Sequence, residues 1–138
     1  MARILPEKKG NAKKAIRILF IDDEKDNAEI VKLGLKKASL DVTTVSVPRE
    51  ALLLLKKQDF DCIVSDYKMP EMTGIELCAE IRKTSNIPFI IYTAWDSEIV
   101  ANAALAAGVN YYIRKKGDLA HFENLARSVE HAVEMRRG

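Results

Sequence analysis

Five short apolar runs alternate strictly with five amphipathic runs along this chain, and few architectures accept that order. The strand-like runs fall near residues 16–21, 42–46, 61–66, 88–93 and 110–114. Helical periodicity predicts helices near 25–37, 48–57, 74–84, 96–107 and 118–136. The last is the clearest, because Leu119, Phe122, Leu125, Ala126, Val129 and Val133 share one face. Gly117 interrupts the preceding run and Asp118 offers an N-cap. Strict strand–helix alternation argues for a parallel sheet with helices on both faces. The unbroken hydrophobicity of Cys62-Ile63-Val64 and Phe89-Ile90-Ile91 fits strands buried on both sides. Neither an internal repeat nor a second domain is legible.

A chain of 138 residues has room for one substantial core. Its 48% hydrophobic and 30% charged residues are ordinary for a soluble globular domain. No apolar stretch approaches bilayer length, and residues 1–15 lack the apolar segment of a secretory signal, so a cytoplasmic location is expected. Charge is unevenly spread. Residues 1–17 carry six basic groups against Glu7 alone, a net of +5, which leaves −3 on the rest of a chain whose total is +2. The expected organisation is a basic, flexible tail over 1–15 and one folded domain over 16–138, with no function assigned to the tail. Cys62 and Cys78 have neither C-x-x-C spacing nor a His neighbour and read as reduced, packed thiols.

In sheets of this kind the functional crevice lies beyond the carboxyl ends of the strands. The residues just past each strand are therefore informative. Strand one runs into Asp22-Asp23, strand three into Asp66 with Pro70 soon after, strand four into Tyr92-Thr93-Ala94, and strand five into Arg114-Lys115-Lys116. Strand two ends in Ser46-Val47-Pro48 and offers nothing comparable. Three carboxylates at two strand ends repel one another unless a cation sits among them, which points to a hard-oxygen divalent site, Mg²⁺ above all. Singly, Asp22-Asp23 also reads as a solvated turn or helix cap, and Thr93 as an ordinary strand residue. Together, acid, acid, hydroxyl and cation suit phosphoryl transfer to Asp66. Such transfers spread negative charge over the equatorial oxygens, and catalysis consists of alignment and charge neutralisation. A metal on Asp23 and Asp66, the lysine ammonium and the Thr93 hydroxyl would each take one oxygen.

Four motifs carry a resemblance that covers Ile16 to Arg136. They are Phe20-Ile21-Asp22-Asp23-Glu24, Val64-Ser65-Asp66-Tyr67-Lys68-Met69-Pro70 with Gly74, Ile91-Tyr92-Thr93-Ala94, and Gly108-Val109-Asn110-Tyr111-Tyr112-Ile113-Arg114-Lys115. In this order and spacing the chain resembles a response-regulator receiver domain of two-component signalling, of the chemotaxis-receiver type. The resemblance implies a flavodoxin-like (βα)5 sandwich with strand order 2-1-3-4-5. It implies Asp66 as phosphoacceptor, Asp23 as direct metal ligand, Asp22 acting through water, and the Lys68 carbonyl on the metal. Thr93 would be the switch hydroxyl and Tyr112 the aromatic that changes rotamer, with Mg²⁺ as cofactor. The phosphoryl donor would be a histidine kinase or phosphotransfer protein, and the output surface the fourth helix, fifth strand and fifth helix, Ser97 to Met135. A monomer or a phosphorylation-dependent dimer would fit, with an unidentified protein as target and no DNA-binding domain. Lys68 and Trp95 flank the pocket at positions that the resemblance links to phosphoryl lifetime.

One departure stands out: Lys115-Lys116-Gly117 replaces the family's Lys-Pro. Counting from Tyr112 selects Lys115 as the pocket lysine, with Lys116 as the alternative. His121 and His131 read as surface residues. Two competing classes are weighed against this reading. Aspartate-nucleophile phosphatases resemble D-x-D at the nucleophile, whereas Asp66 is followed by Tyr67-Lys68. Pseudo-receivers generally lack part of the acid–lysine set, which this chain keeps. An enzyme turning over an external substrate is therefore not expected. The basic tail comes without a helix-turn-helix or aromatic-basic pattern that would point to nucleic acid.

Overall fold

A computed structural model of the chain describes residues 15–36, 38–95, 97–115 and 120–137. Residues 1–14 of the expected tail lie outside the described residues. So do Lys116, Gly117, Asp118 and Leu119, and with them the predicted cap of the last helix. The elements are β1 (Ile16–Ile21), α1 (Lys25–Lys36), β2 (Leu40–Val45), α2 (Pro48–Lys57), β3 (Cys62–Ser65), α3 (Gly74–Arg82), β4 (Phe89–Thr93), α4 (Glu98–Ala106), β5 (Tyr111–Arg114) and α5 (Ala120–Arg137). All four strand pairings are parallel, in the order β2-β1-β3-β4-β5. This is the doubly wound flavodoxin-like arrangement expected from the alternation and the resemblance.

Side-chain alternation along the strands divides the core in two. Ile18, Phe20, Cys62, Val64, Ile90 and Tyr92 face α1 and α5, where they meet Val31, Leu35, Leu125 and Val129. Leu19, Ile21, Ile63, Phe89 and Ile91 face α2, α3 and α4, where they meet Ala51, Leu77, Ile81 and Ala104. Both cysteines are free and buried, and burial pushes the Cys62 thiol up to about 12. Among the described residues no helix is long and apolar enough to cross a membrane.

Boundaries differ from expectation where local chemistry outweighs hydrophobic pattern. β2 begins two residues early, at Leu40, because Leu40 and Val42 are buried while Asp41 between them faces solvent, as an edge strand allows. α3 stops at Arg82 rather than 84. The Arg82 guanidinium turns back to the carbonyls of Ser85, Ile87 and Gly108 and to Asn110 Oδ1, tying the start of β4 to the start of β5. α4 starts at Glu98 rather than 96 because Ser97 caps it, its Oγ accepting from the Val100 N–H at 3.2 Å.

Candidate functional site at the strand ends

Register brings the strand ends level. Ile21 pairs with Ser65, Ser65 with Ile91, and Ile91 with Tyr112. The residues just beyond that row are Asp22, Asp66, Tyr92 and Ile113. The Asp66 N–H still donates to the Ile21 carbonyl at 3.0 Å, and the Asp22 N–H to that of Val45 at 3.1 Å, so both acids are held by ladder hydrogen bonds.

Carboxylate oxygens of Asp22, Asp23 and Asp66 all lie within 4.8 Å of one another. Asp22 is buried and Asp23 exposed. Asp22 Oδ1 accepts from the Glu24 N–H at 2.9 Å and Asp66 Oδ1 from the Tyr67 N–H at 2.7 Å. The Lys115 ammonium sits 3.3 Å from Asp22 Oδ2 and 3.7 Å from Asp66 Oδ2, with only 18% of its side chain exposed. Lys115, one of the two candidate lysines, is thus brought to the acids; Lys116 lies outside the described residues. Three hard oxygen donors against one ammonium leave an excess of negative charge, a donor set that fits a small divalent cation.

Thr93 is buried at the end of β4, and its Oγ1 accepts from the Trp95 N–H at 3.2 Å. Its carbonyl accepts from the Lys115 N–H at 2.7 Å, which joins the ends of β4 and β5. Tyr112 donates its hydroxyl to the Trp95 carbonyl at 2.6 Å. The Lys68 ammonium stands 4.8 Å from the centre of the Trp95 ring, and Tyr67 tilts against the same ring at 6.4 Å. Lys68 also borders an open cleft of about 400 Å³ with Asp23, Glu24, Asp66, Met69 and Pro70. A larger cleft of about 510 Å³ lies at the opposite end of the sheet, lined by Leu52, Leu55, Phe60, Ile81 and Ile87 among others. Size and chemistry part company here, and the strand-end cleft carries the acids. His131, exposed on α5, shares a hydrogen bond with the Tyr111 hydroxyl far from them; the His121 side chain lies outside the described residues.

Burial raises the Asp22 carboxyl above the ordinary value of 3.8; the Glu24 N–H and Lys115 work against that rise, and Asp66 adds to it. A carboxyl whose folded pKa exceeds its unfolded one binds its proton more tightly in the native state. Its ionisation therefore costs stability as pH rises from the unfolded value through the folded one. In metal-free buffer, Asp22→Asn gains stability relative to wild type as pH rises from about 4 to about 7. Denaturant midpoints of both proteins across that range measure it. A constant difference would remove Asp22 as the strained acid.

The loop behind Asp66 depends on Gly74, the first residue of α3. Thr73 and Glu76 form a capping box that starts this helix, with Thr73 Oγ1 accepting from the Glu76 N–H and Glu76 Oε1 from the Thr73 N–H. The Gly74 N–H donates to the Tyr67 carbonyl at 2.7 Å, and a Cβ on Gly74 would stand 2.5 Å from the Asp66 carbonyl oxygen. That neighbour is backbone and yields only if the loop moves. Gly74→Ala is expected to lower the melting temperature by about 10 °C, an overpacking cost of about 3 kcal/mol in a domain of this size. Calorimetry checks it; a fall below about 2 °C would mean the loop relaxes freely.

The response regulator receiver domain model matches residues 18–127. Among solved structures, a Francisella response regulator receiver domain is 30% identical, with a TM-score of 0.79, covering 88% of this chain and 98% of that one. The chemotaxis response regulator CheY4 of Vibrio cholerae is 28% identical, with a TM-score of 0.77 and coverage of 84% and 99%. A receiver domain protein of Clostridium thermocellum is 27% identical, with a TM-score of 0.80 and coverage of 88% and 97%. The match spans well over half of the chain and both edges of its sheet, so this protein belongs to the response regulator receiver domain family.

Proposed function

We propose that the chain is a phosphoacceptor switch in which Asp66 takes a phosphoryl group from the phosphohistidine of a histidine kinase or phosphotransfer protein. The observation that carries this is the convergence of Asp22, Asp23 and Asp66 within 4.8 Å, with Lys115 pointed at two of them. An Asp66 carboxylate oxygen attacks phosphorus as the P–N bond breaks, the imidazole leaves, and an acyl phosphate remains. Lys115 neutralises one equatorial oxygen, and Thr93, adjacent in the ladder, donates its hydroxyl to another. Asp23, Asp66 and the Lys68 carbonyl would hold Mg²⁺ directly and Asp22 through water, and the ion would supply the remaining charge neutralisation.

Thr93 and Tyr112 make this a switch. Each now engages Trp95, one at its N–H and the other at its carbonyl. A phosphoryl oxygen that draws Thr93 towards Asp66 weakens the first of these contacts, and Tyr112 responds on the same residue. The phosphoryl group thereby shifts an existing equilibrium of the α4–β5–α5 surface that a protein partner reads. The chain works in the cytoplasm and promotes only its own phosphorylation and dephosphorylation.

Intact-mass spectrometry after incubation with acetyl phosphate, with and without Mg²⁺, tests the reading. One phosphoryl adduct that appears only with Mg²⁺ is expected. A folded, Mg²⁺-binding protein without an adduct would reduce the domain to an interaction module.

A further inference from the structure

Tyr92 is buried one residue past the Ser65–Ile91 pairing, in the same row of the sheet as Asp66. Strand alternation puts it on the α1/α5 side of the sheet with Cys62, Val64 and Ile90, and the same alternation continued past the strand ends carries Asp22 and Asp66. The Lys115 ammonium lies over the Tyr92 ring, 5.4 Å from its centre. Among the described residues the Lys115 ammonium thus meets two carboxylates and one ring face.

These partners are not equivalent. Both carboxylates belong to the acid cluster, which a divalent cation and a phosphoryl group would also engage. When they turn to those ligands, their hold on the ammonium weakens. The ring takes no part in that exchange. The Lys115 N–H bond to the Thr93 carbonyl fixes the main chain and leaves the side-chain torsions free. A lysine has four rotatable side-chain bonds, so something must keep its ammonium aimed. The aromatic face attracts a cation through its quadrupole.

We propose that Tyr92 is a positioning residue for Lys115, holding its ammonium by a cation–π contact so that it stays aimed at Asp66 while the carboxylates are engaged elsewhere. The role in phosphoryl transfer rests on the phosphoacceptor reading; the contact itself does not, so two measurements separate them. The first is NMR of the unphosphorylated protein. The Lys115 ε-methylene protons are expected to be shifted upfield by the ring in wild type and in Tyr92→Phe, and not in Tyr92→Leu. An unshifted resonance in folded wild type would overturn the contact.

The second is the initial rate of adduct formation with acetyl phosphate and saturating Mg²⁺. Tyr92→Leu is expected to slow it roughly tenfold and Tyr92→Phe by less than about twofold. Against a Lys115→Ala background, Tyr92→Leu is expected to add nothing further. An equal loss in that background, or a failure of Phe to restore the rate, would overturn the positioning role. Should Tyr92→Leu fail to fold, a ring-fluorinated phenylalanine at position 92 keeps the shape and weakens the face. An unchanged rate there would also overturn the proposal. If wild type forms no adduct, the phosphoacceptor reading and the positioning role fall together, and the NMR result alone decides the contact.

Discussion

Asp66→Asn is expected to abolish the phosphoryl adduct, weaken Mg²⁺ binding roughly a hundredfold, and leave the fold stable to within about 1 kcal/mol. The fold survives because an amide oxygen can still accept the Tyr67 N–H that Asp66 Oδ1 now accepts. Lys115 loses its partner at 3.7 Å but keeps Asp22 at 3.3 Å. At the same time the cluster loses one of its three mutually repelling carboxylates. Loss and relief oppose each other at similar size, which is why the net effect on folding is small. Metal binding has no such compensation, because an amide is a neutral and weaker donor for Mg²⁺. Titration calorimetry with Mg²⁺, denaturant unfolding and intact mass report the three effects separately. An adduct on Asp66→Asn would move the acceptor to another residue. A fall of several kcal/mol would mean that Asp66 is structural before it is chemical.

The site was legible because a parallel sheet makes strand ends converge. An apolar run followed by an acid, a hydroxyl or a cation is visible in one dimension, and the doubly wound order folds four such ends into one crevice. Asp22, Asp23, Asp66 and Lys115 are brought together as that logic requires. Thr93 stands at its strand end as expected, buried beside Trp95. What escaped depends on contacts with no periodic signature. Tyr92 reads along the chain as one more apolar strand residue, although its parity with Asp66 could have placed it on the lysine's side. The approach of Gly74 to the Asp66 carbonyl is a distance that no sequence pattern encodes. The Lys68–Trp95 stack joins two loops that share only a nearness to the pocket. Thr73-Gly74-Ile75-Glu76 spells the capping box that starts α3 where expected, and Ser97 was the local signal for the α4 start that slipped. The early start of β2 comes from its edge position, where Asp41 faces solvent without interrupting the ladder.

Replacing Lys115 with Met is expected to separate metal binding from phosphoryl transfer by moving them in opposite directions. The ammonium now occupies space between Asp22 and Asp66, so it repels any cation that those carboxylates attract. Removing it is expected to tighten Mg²⁺ binding about threefold to tenfold. The same substitution deletes the one described ammonium aimed at Asp66. Loss of a preorganised charge that meets developing negative charge is expected to slow adduct formation roughly a hundredfold. Met matches the length and volume of the lysine stem, so the packing over Tyr92 is largely kept. Stability in metal-free buffer falls by about 1–2 kcal/mol, because Asp22 is left buried without its cation. Saturating Mg²⁺ is expected to restore most of that loss by supplying a replacement charge. Uniformly weaker binding and slower transfer would mean that Lys115 merely shapes the pocket. Tighter binding with slower transfer is what a group poised for the transferring phosphoryl, rather than for the resting site, must produce.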